Sequence, residues 1–94
     1  MSEIDRPLPP ELEKMDRYRA LAGALYRCAR WELAGRNPGA ANVLLERALE
    51  AVDTATRALP ADGTLKAAEH EEHLQSLVTL RDNVISASAQ ILAM

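Results

Sequence analysis

Apolar residues recur every three or four positions along three stretches of the chain, which is the period of one face of an α-helix. The first stretch predicts a helix over residues 10–34, because Pro10 suits the first helical turn and Gly35 follows its end. Residues 1–9 include two further prolines and are predicted to form an extended N-terminal arm. The apolar stripe of this helix consists of Met15, Tyr18, Ala22, Leu25, Ala29 and Leu33.

The second and third stretches predict helices over residues 38–59 and 63–92. Asn37 is placed as N-cap, Pro38 at the first helical position, and Pro60 stops the second helix. A short loop then turns the third helix back antiparallel. The predicted fold class is all-α. Residues 10–94 form a single domain, an antiparallel up-down-up three-helix bundle that is completed by dimerisation or by a partner.

The composition indicates a core built mainly from small and aliphatic side chains. Hydrophobic residues make up 48% of the 94-residue chain, yet there is no Phe, one Trp and two Tyr. Leu and Ala, both strong helix formers, must therefore supply the core. Each buried Ala contributes little apolar area, so a second copy or another protein is expected to add to the core.

Charge and cysteine content narrow the classes of function. The net charge of −3 argues against nucleic-acid binding, which needs a basic surface. The single cysteine, Cys28, excludes an internal disulfide and is predicted to be a buried, inert thiol. No apolar run approaches the ~18 residues of a membrane span, and the start lacks a signal-peptide core. A cytoplasmic protein is expected, and the excess of Arg over Lys suggests a bacterial source.

The stretch "AEHEEHLQSL" at residues 68–77 is the strongest candidate for chemistry. Glu69, His70 and His73 share one helix face, and imidazole with carboxylate suits zinc, iron or manganese. However, the histidines are three residues apart, whereas the zinc-protease motif places them four apart. The di-iron motif needs a Glu three residues before a His, and it is absent too. We therefore expect no stoichiometric metal, no cofactor and no enzymatic activity, and metal binding stays the alternative.

The apolar faces of the second and third helices are wider than one helix contact requires. This surplus predicts that the chain is a small helical interaction module, such as an adaptor, chaperone, inhibitor or accessory subunit. The expected partner is another protein, a second copy in a homodimer, or both. The predicted binding residues, to which Trp31 adds an aromatic anchor, are Trp31, Leu44, Leu49, Val78, Ile85 and Leu92.

Residues 20–59 combine an Arg- and Ala-rich helix, a Gly/Pro turn and a Leu/Ala-rich return helix. In this pattern they resemble the helical-hairpin co-chaperones of bacterial type III secretion needle subunits. The resemblance covers less than half of the chain, and the long third helix departs from it. It implies a secretion co-chaperone as a further alternative function.

Overall fold

The computed structural model describes residues 10–59 and 67–93, and within these ranges the chain has three α-helices and no β-strand. These are α1 (Pro10–Ala34), α2 (Pro38–Ala58) and α3 (Ala67–Ala93). The predicted all-helical class is confirmed, and the predicted bounds of α1 and α2 agree to within one residue. The predicted start of the third helix at residue 63 and the predicted arm over residues 1–9 lie outside the described residues.

The end of α1 is fixed by two backbone hydrogen bonds that form a Schellman motif. The N–H of Asn37 donates to the carbonyl oxygen of Glu32 at 2.8 Å, and the N–H of Arg36 donates to that of Leu33 at 3.0 Å. This motif needs one left-handed residue, and Arg36 takes that conformation with φ 63°. Gly35 lies one position before the left-handed residue and therefore cannot take that conformation in its place. Arg36, which has a Cβ atom, bears the strain of the left-handed backbone.

The start of α2 follows directly from this turn. Asn37 occupies the N-cap position and Pro38 the first turn, as predicted. The Asn37 side chain makes no capping hydrogen bond to α2, and its amide nitrogen donates to Glu32 Oε1 at 3.1 Å. The connection between α1 and α2 is thus held by backbone hydrogen bonds and by one side-chain hydrogen bond. At the other end of α2, Leu59 is extended, as expected for a residue before proline.

The three helices pack unequally. α1 and α2 contact each other along most of their length, α3 packs mainly on α2, and contacts between α1 and α3 are sparse. The α1–α2 contact is dominated by alanines at intervals of seven residues, a spacing that returns to the same helix face. These fully buried alanines are Ala22 and Ala29 on α1, and Ala41, Ala48 and Ala55 on α2.

Larger buried side chains occupy the two ends of this alanine contact, and Val52 of α2 packs with Ala22 of α1 between them. At one end, Leu12 and Met15 of α1 pack with Ala55 of α2 and Leu77 of α3. At the other end, Ala29 of α1 joins residues from the start of α2 and from the second half of α3. The buried members there are Ala29, Ala41, Leu45, Ala48, Val84 and Ala87. The core therefore contains side chains from all three helices at both ends.

Surface ion pairs add little to this packing. Glu13 pairs with Arg17 at 3.5 Å and Asp53 with Arg57 at 2.8 Å, and all four side chains are mostly exposed. Exposed pairs one helical turn apart contribute about 0.3–0.5 kcal/mol each. The stability of the described part therefore depends mainly on helix packing.

We expect Ala29→Leu to lower the free energy of unfolding by about 1–3 kcal/mol, because the added atoms must enter the closely packed α1–α2 contact. Ala20→Leu is the matched control, since Ala20 is exposed on the same helix and surface changes stay within about 0.5 kcal/mol. Urea unfolding followed by far-UV circular dichroism measures both. Equal free energies of unfolding for the two variants would contradict close packing at Ala29.

Arg36→Gly should raise the free energy of unfolding by about 1 kcal/mol, because glycine adopts the left-handed conformation without strain. Arg36→Ala is the control for loss of the arginine charge, since alanine keeps the strained Cβ. The same urea titration compares the two. A gain in Arg36→Ala as large as that in Arg36→Gly would show that charge, and not backbone strain, is responsible.

Candidate interaction surface

α3 carries a row of exposed apolar side chains at intervals of seven residues. Val78, Ile85 and Leu92 are 39%, 43% and 87% exposed. Val78 and Ile85 each follow a fully buried residue, Leu77 and Val84, and are rotated from it by roughly 100° around the helix. The buried face of α3 and the row Val78, Ile85 and Leu92, here called the α3 stripe, are therefore two different sides of one helix.

The α3 stripe borders an open groove between α2 and α3. Val78 lines this groove together with Leu49 and the charged side chains Asp53 and Arg81. Asp53 is paired with Arg57 on α2. The apolar stripe thus begins beside a mixed-charge edge, an arrangement typical of protein interfaces with an apolar centre and a polar rim.

Two of the predicted binding residues, on α2, take part in packing within the chain. Leu44 and Leu49 are half-buried and pack against the core cluster that contains Ala29 and Val84. Because α2 contacts both α1 and α3, a wide apolar face on α2 is used within the chain itself. The surplus apolar surface predicted for α2 is thus largely used for packing within the chain. The surplus apolar surface of α3 remains exposed.

Trp31 belongs to a separate surface on α1. It is 75% exposed, and its nine-residue separation from buried Ala22 places it roughly 180° around the helix. Leu21, at 47% exposure, and the exposed Cys28 lie on the same outer side. The prediction that Cys28 is buried is wrong, because it stands in a second apolar row of α1 that faces away from α2. Sequence reasoning also missed Leu21 and the half-exposed Val43 of α2.

The structure gives no metal-binding geometry to the candidate residues of α3. His70 and His73 are half-buried, and Glu69 is exposed. Among the described side chains of residues 12–59 and 68–93, no three or more of His, Cys, Asp or Glu are grouped so that they could hold a metal ion. Glu69, His70 and His73 therefore do not form a ligand set.

The interior of the described helices is entirely apolar. No polar or charged residue of residues 12–59 and 68–93 is buried, and no buried side-chain N or O in that part lacks a hydrogen bond. Polar side chains that could contact a ligand therefore lie on surfaces and in open grooves. Among the described helices, none combines the length and hydropathy needed to span a membrane.

Comparison with protein families, with curated proteins and with solved structures finds no match for this chain.

Cys28 should react with a thiol reagent such as iodoacetamide without denaturant, because its side chain is exposed on the outer side of α1. The expected labelling rate is comparable with that of the urea-unfolded chain, as followed by mass spectrometry. The Cys28→Ser variant controls for labelling elsewhere. Protection of the native thiol that disappears in urea would show that this side of α1 is covered.

Proposed function

We propose that this protein is a small acidic helical interaction module that binds a protein partner through the α3 stripe. An adaptor, chaperone, inhibitor or accessory subunit would act in this way, without a catalytic step and without a cofactor. The observation that supports the proposal is the exposure of Val78, Ile85 and Leu92 on one side of α3. Apolar rows of this kind are the usual binding faces of amphipathic helices.

Leaving these three apolar side chains in water costs free energy. Full burial of a Val, Leu or Ile side chain contributes about 1.5–3 kcal/mol. Three incompletely buried residues therefore forgo several kcal/mol, against a total stability of about 5–15 kcal/mol for a small domain. A partner that covers the stripe recovers this free energy.

The architecture that we propose is the antiparallel up-down-up bundle. Its support comes from the clusters at the two ends of the core. Leu12 near the start of α1 packs with Ala55 near the end of α2. Ala29, late in α1, packs with Ala41 at the start of α2 and with Ala87 late in α3. This order is the one expected when each helix reverses the direction of the previous one.

In the absence of another partner, we propose that a second copy covers the α3 stripe and forms a twofold dimer through α2 and α3. A twofold contact uses the same surface on both copies, so one apolar stripe suffices. The proposed setting is the cytoplasm of a bacterium, in keeping with the sequence composition.

A secretion co-chaperone remains a second candidate within the same class. The observation in its favour is the extensive α1–α2 contact, since the resemblance rests on a helical hairpin formed by residues 20–59. In that case the cargo is a helical protein, and α3 provides the additional binding face.

The Ile85→Glu variant tests the stripe, because a carboxylate in a covered apolar contact would be buried without a counter-ion. We expect light scattering at micromolar concentration to give a dimer mass for the wild type and a monomer mass for Ile85→Glu. Leu21→Glu is the matched control, since Leu21 is 47% exposed on α1 and lies outside both helices of the proposed dimer contact. It should remain dimeric.

A monomeric wild type would remove the dimer and leave only binding to another protein. That version is tested by affinity capture from the native host with mass-spectrometric identification. A partner retained equally by the wild type and by Ile85→Glu would contradict binding through the α3 stripe.

A further inference from the structure

α1 and α3 are separated by an open groove along the second half of both helices. Its walls include Tyr26 and Arg30 from α1, and Asn83, Ser86 and Gln90 from α3. The small residues Ala34 and Ala87 also line it. The groove lies where contacts between α1 and α3 are sparse.

The α3 wall of this groove is polar. Asn83, Ser86 and Gln90 follow one another at intervals of three and four residues, so their side chains project from one side of the helix. This side differs from both the buried face and the α3 stripe, since Asn83 and Gln90 each immediately precede a residue packed in the core, Val84 and Ile91. The groove therefore offers hydrogen-bonding groups in a position where a tighter bundle would have apolar ones.

The α1 wall contributes a single positive charge. The guanidinium carbon of Arg30 lies 5.9 Å from the centroid of the Tyr26 ring, within the range of a cation–π contact that helps to orient it. None of the described side chains that line the groove is acidic. The net charge of the whole chain is −3, so the groove is locally positive on an acidic protein, and a carboxylate is the group that its arginine favours.

The amide side chains suit a peptide backbone. Each Asn or Gln side chain has an N–H donor and a carbonyl acceptor and can pair with both polar groups of a peptide unit. Asn83 and Gln90 are seven residues apart, which corresponds to roughly 10 Å along a helix. An extended chain advances about 3.3 Å per residue. About three residues of extended peptide therefore span the distance between the two amides.

We propose that the α1–α3 groove binds an extended, acidic segment of a protein partner. Arg30 receives an Asp or Glu carboxylate of that segment, while Asn83 and Gln90 hydrogen-bond to its backbone. This inference rests on the proposed function as an interaction module and names the chemistry of one part of the partner. It concerns a surface other than the α3 stripe, so the two can be tested separately.

The experiment begins with a phage-displayed library of random heptapeptides that is selected on the immobilised full chain. Enriched sequences are synthesised with a fluorescent label, and their dissociation constants are measured by fluorescence anisotropy. We expect enrichment of Asp- and Glu-containing peptides. Arg30→Gln should weaken their binding by about tenfold or more, because a charge-assisted pair is lost, and Asn83→Ala by about threefold or more.

Arg47→Gln is the matched control, since Arg47 is exposed on α2 and does not line the groove. It should bind the peptides as the wild type does, and circular dichroism should show unchanged helix content in every variant. Failure to enrich acidic sequences, or equal binding by Arg30→Gln and the wild type, overturns the groove proposal. Equal weakening by Arg30→Gln and Arg47→Gln also overturns it, since general charge attraction would then explain the binding.

The stripe and groove proposals fail in different ways. If Ile85→Glu loses a protein partner that Arg30→Gln retains, the module proposal stands and the groove proposal is wrong. If the acidic peptides bind with the expected dependence on Arg30 while no assembly depends on Ile85, the groove stands and binding through the stripe is wrong.

Discussion

The close contact between the alanine rows of α1 and α2 is the interaction on which the rest of this structure depends. Alanine side chains at intervals of seven residues on both helices let the two backbones approach closely and engage over most of their length. The stabilisation comes from many small dispersion contacts along these rows, together with larger buried side chains such as Met15 and Leu45. Such a contact tolerates little added volume, because neither helix can move away without losing the whole row. The tied turn at Glu32, Arg36 and Asn37 holds the same two helices together at one end.

The same contact determines how α3 is held. With α1 and α2 already paired, α3 adds Leu77 and Val84 to the core and packs mainly on α2. Two sides of α3 remain open, one apolar and one polar. The molecule is correspondingly long, with a radius of gyration of 15.4 Å and extents of 49 × 25 × 17 Å. A compact domain of this length would have a radius of gyration of about 12 Å. The elongated shape leaves more helix surface for contacts with other molecules.

The helices themselves could be predicted from the sequence, because Pro10, Gly35, Pro38 and Pro60 mark their limits and the apolar period is regular between them. Burial was harder to predict. Periodicity gives the angular position of a residue on its own helix but does not say which side meets a neighbour. Cys28 stands in an apolar row with regular helical spacing, yet that row faces outward. Leu44 and Leu49 flank the apolar seam of α2, and both are used inside the chain because α2 contacts two helices. The strained conformation of Arg36 carries no sequence signal, since a glycine stands next to it.

Both proposed binding surfaces include part of α3, which has fewer contacts with the other two helices than these have with each other. A helix with few long-range contacts opens at lower free energy than the rest of its domain. A partner that covers the α3 stripe would favour the packed position of α3 over open ones, and so would a peptide that bridges Arg30 and Asn83 across the groove. On the proposed function, the stripe and the groove therefore share no residue, yet both depend on the position that α3 takes on the α1–α2 pair.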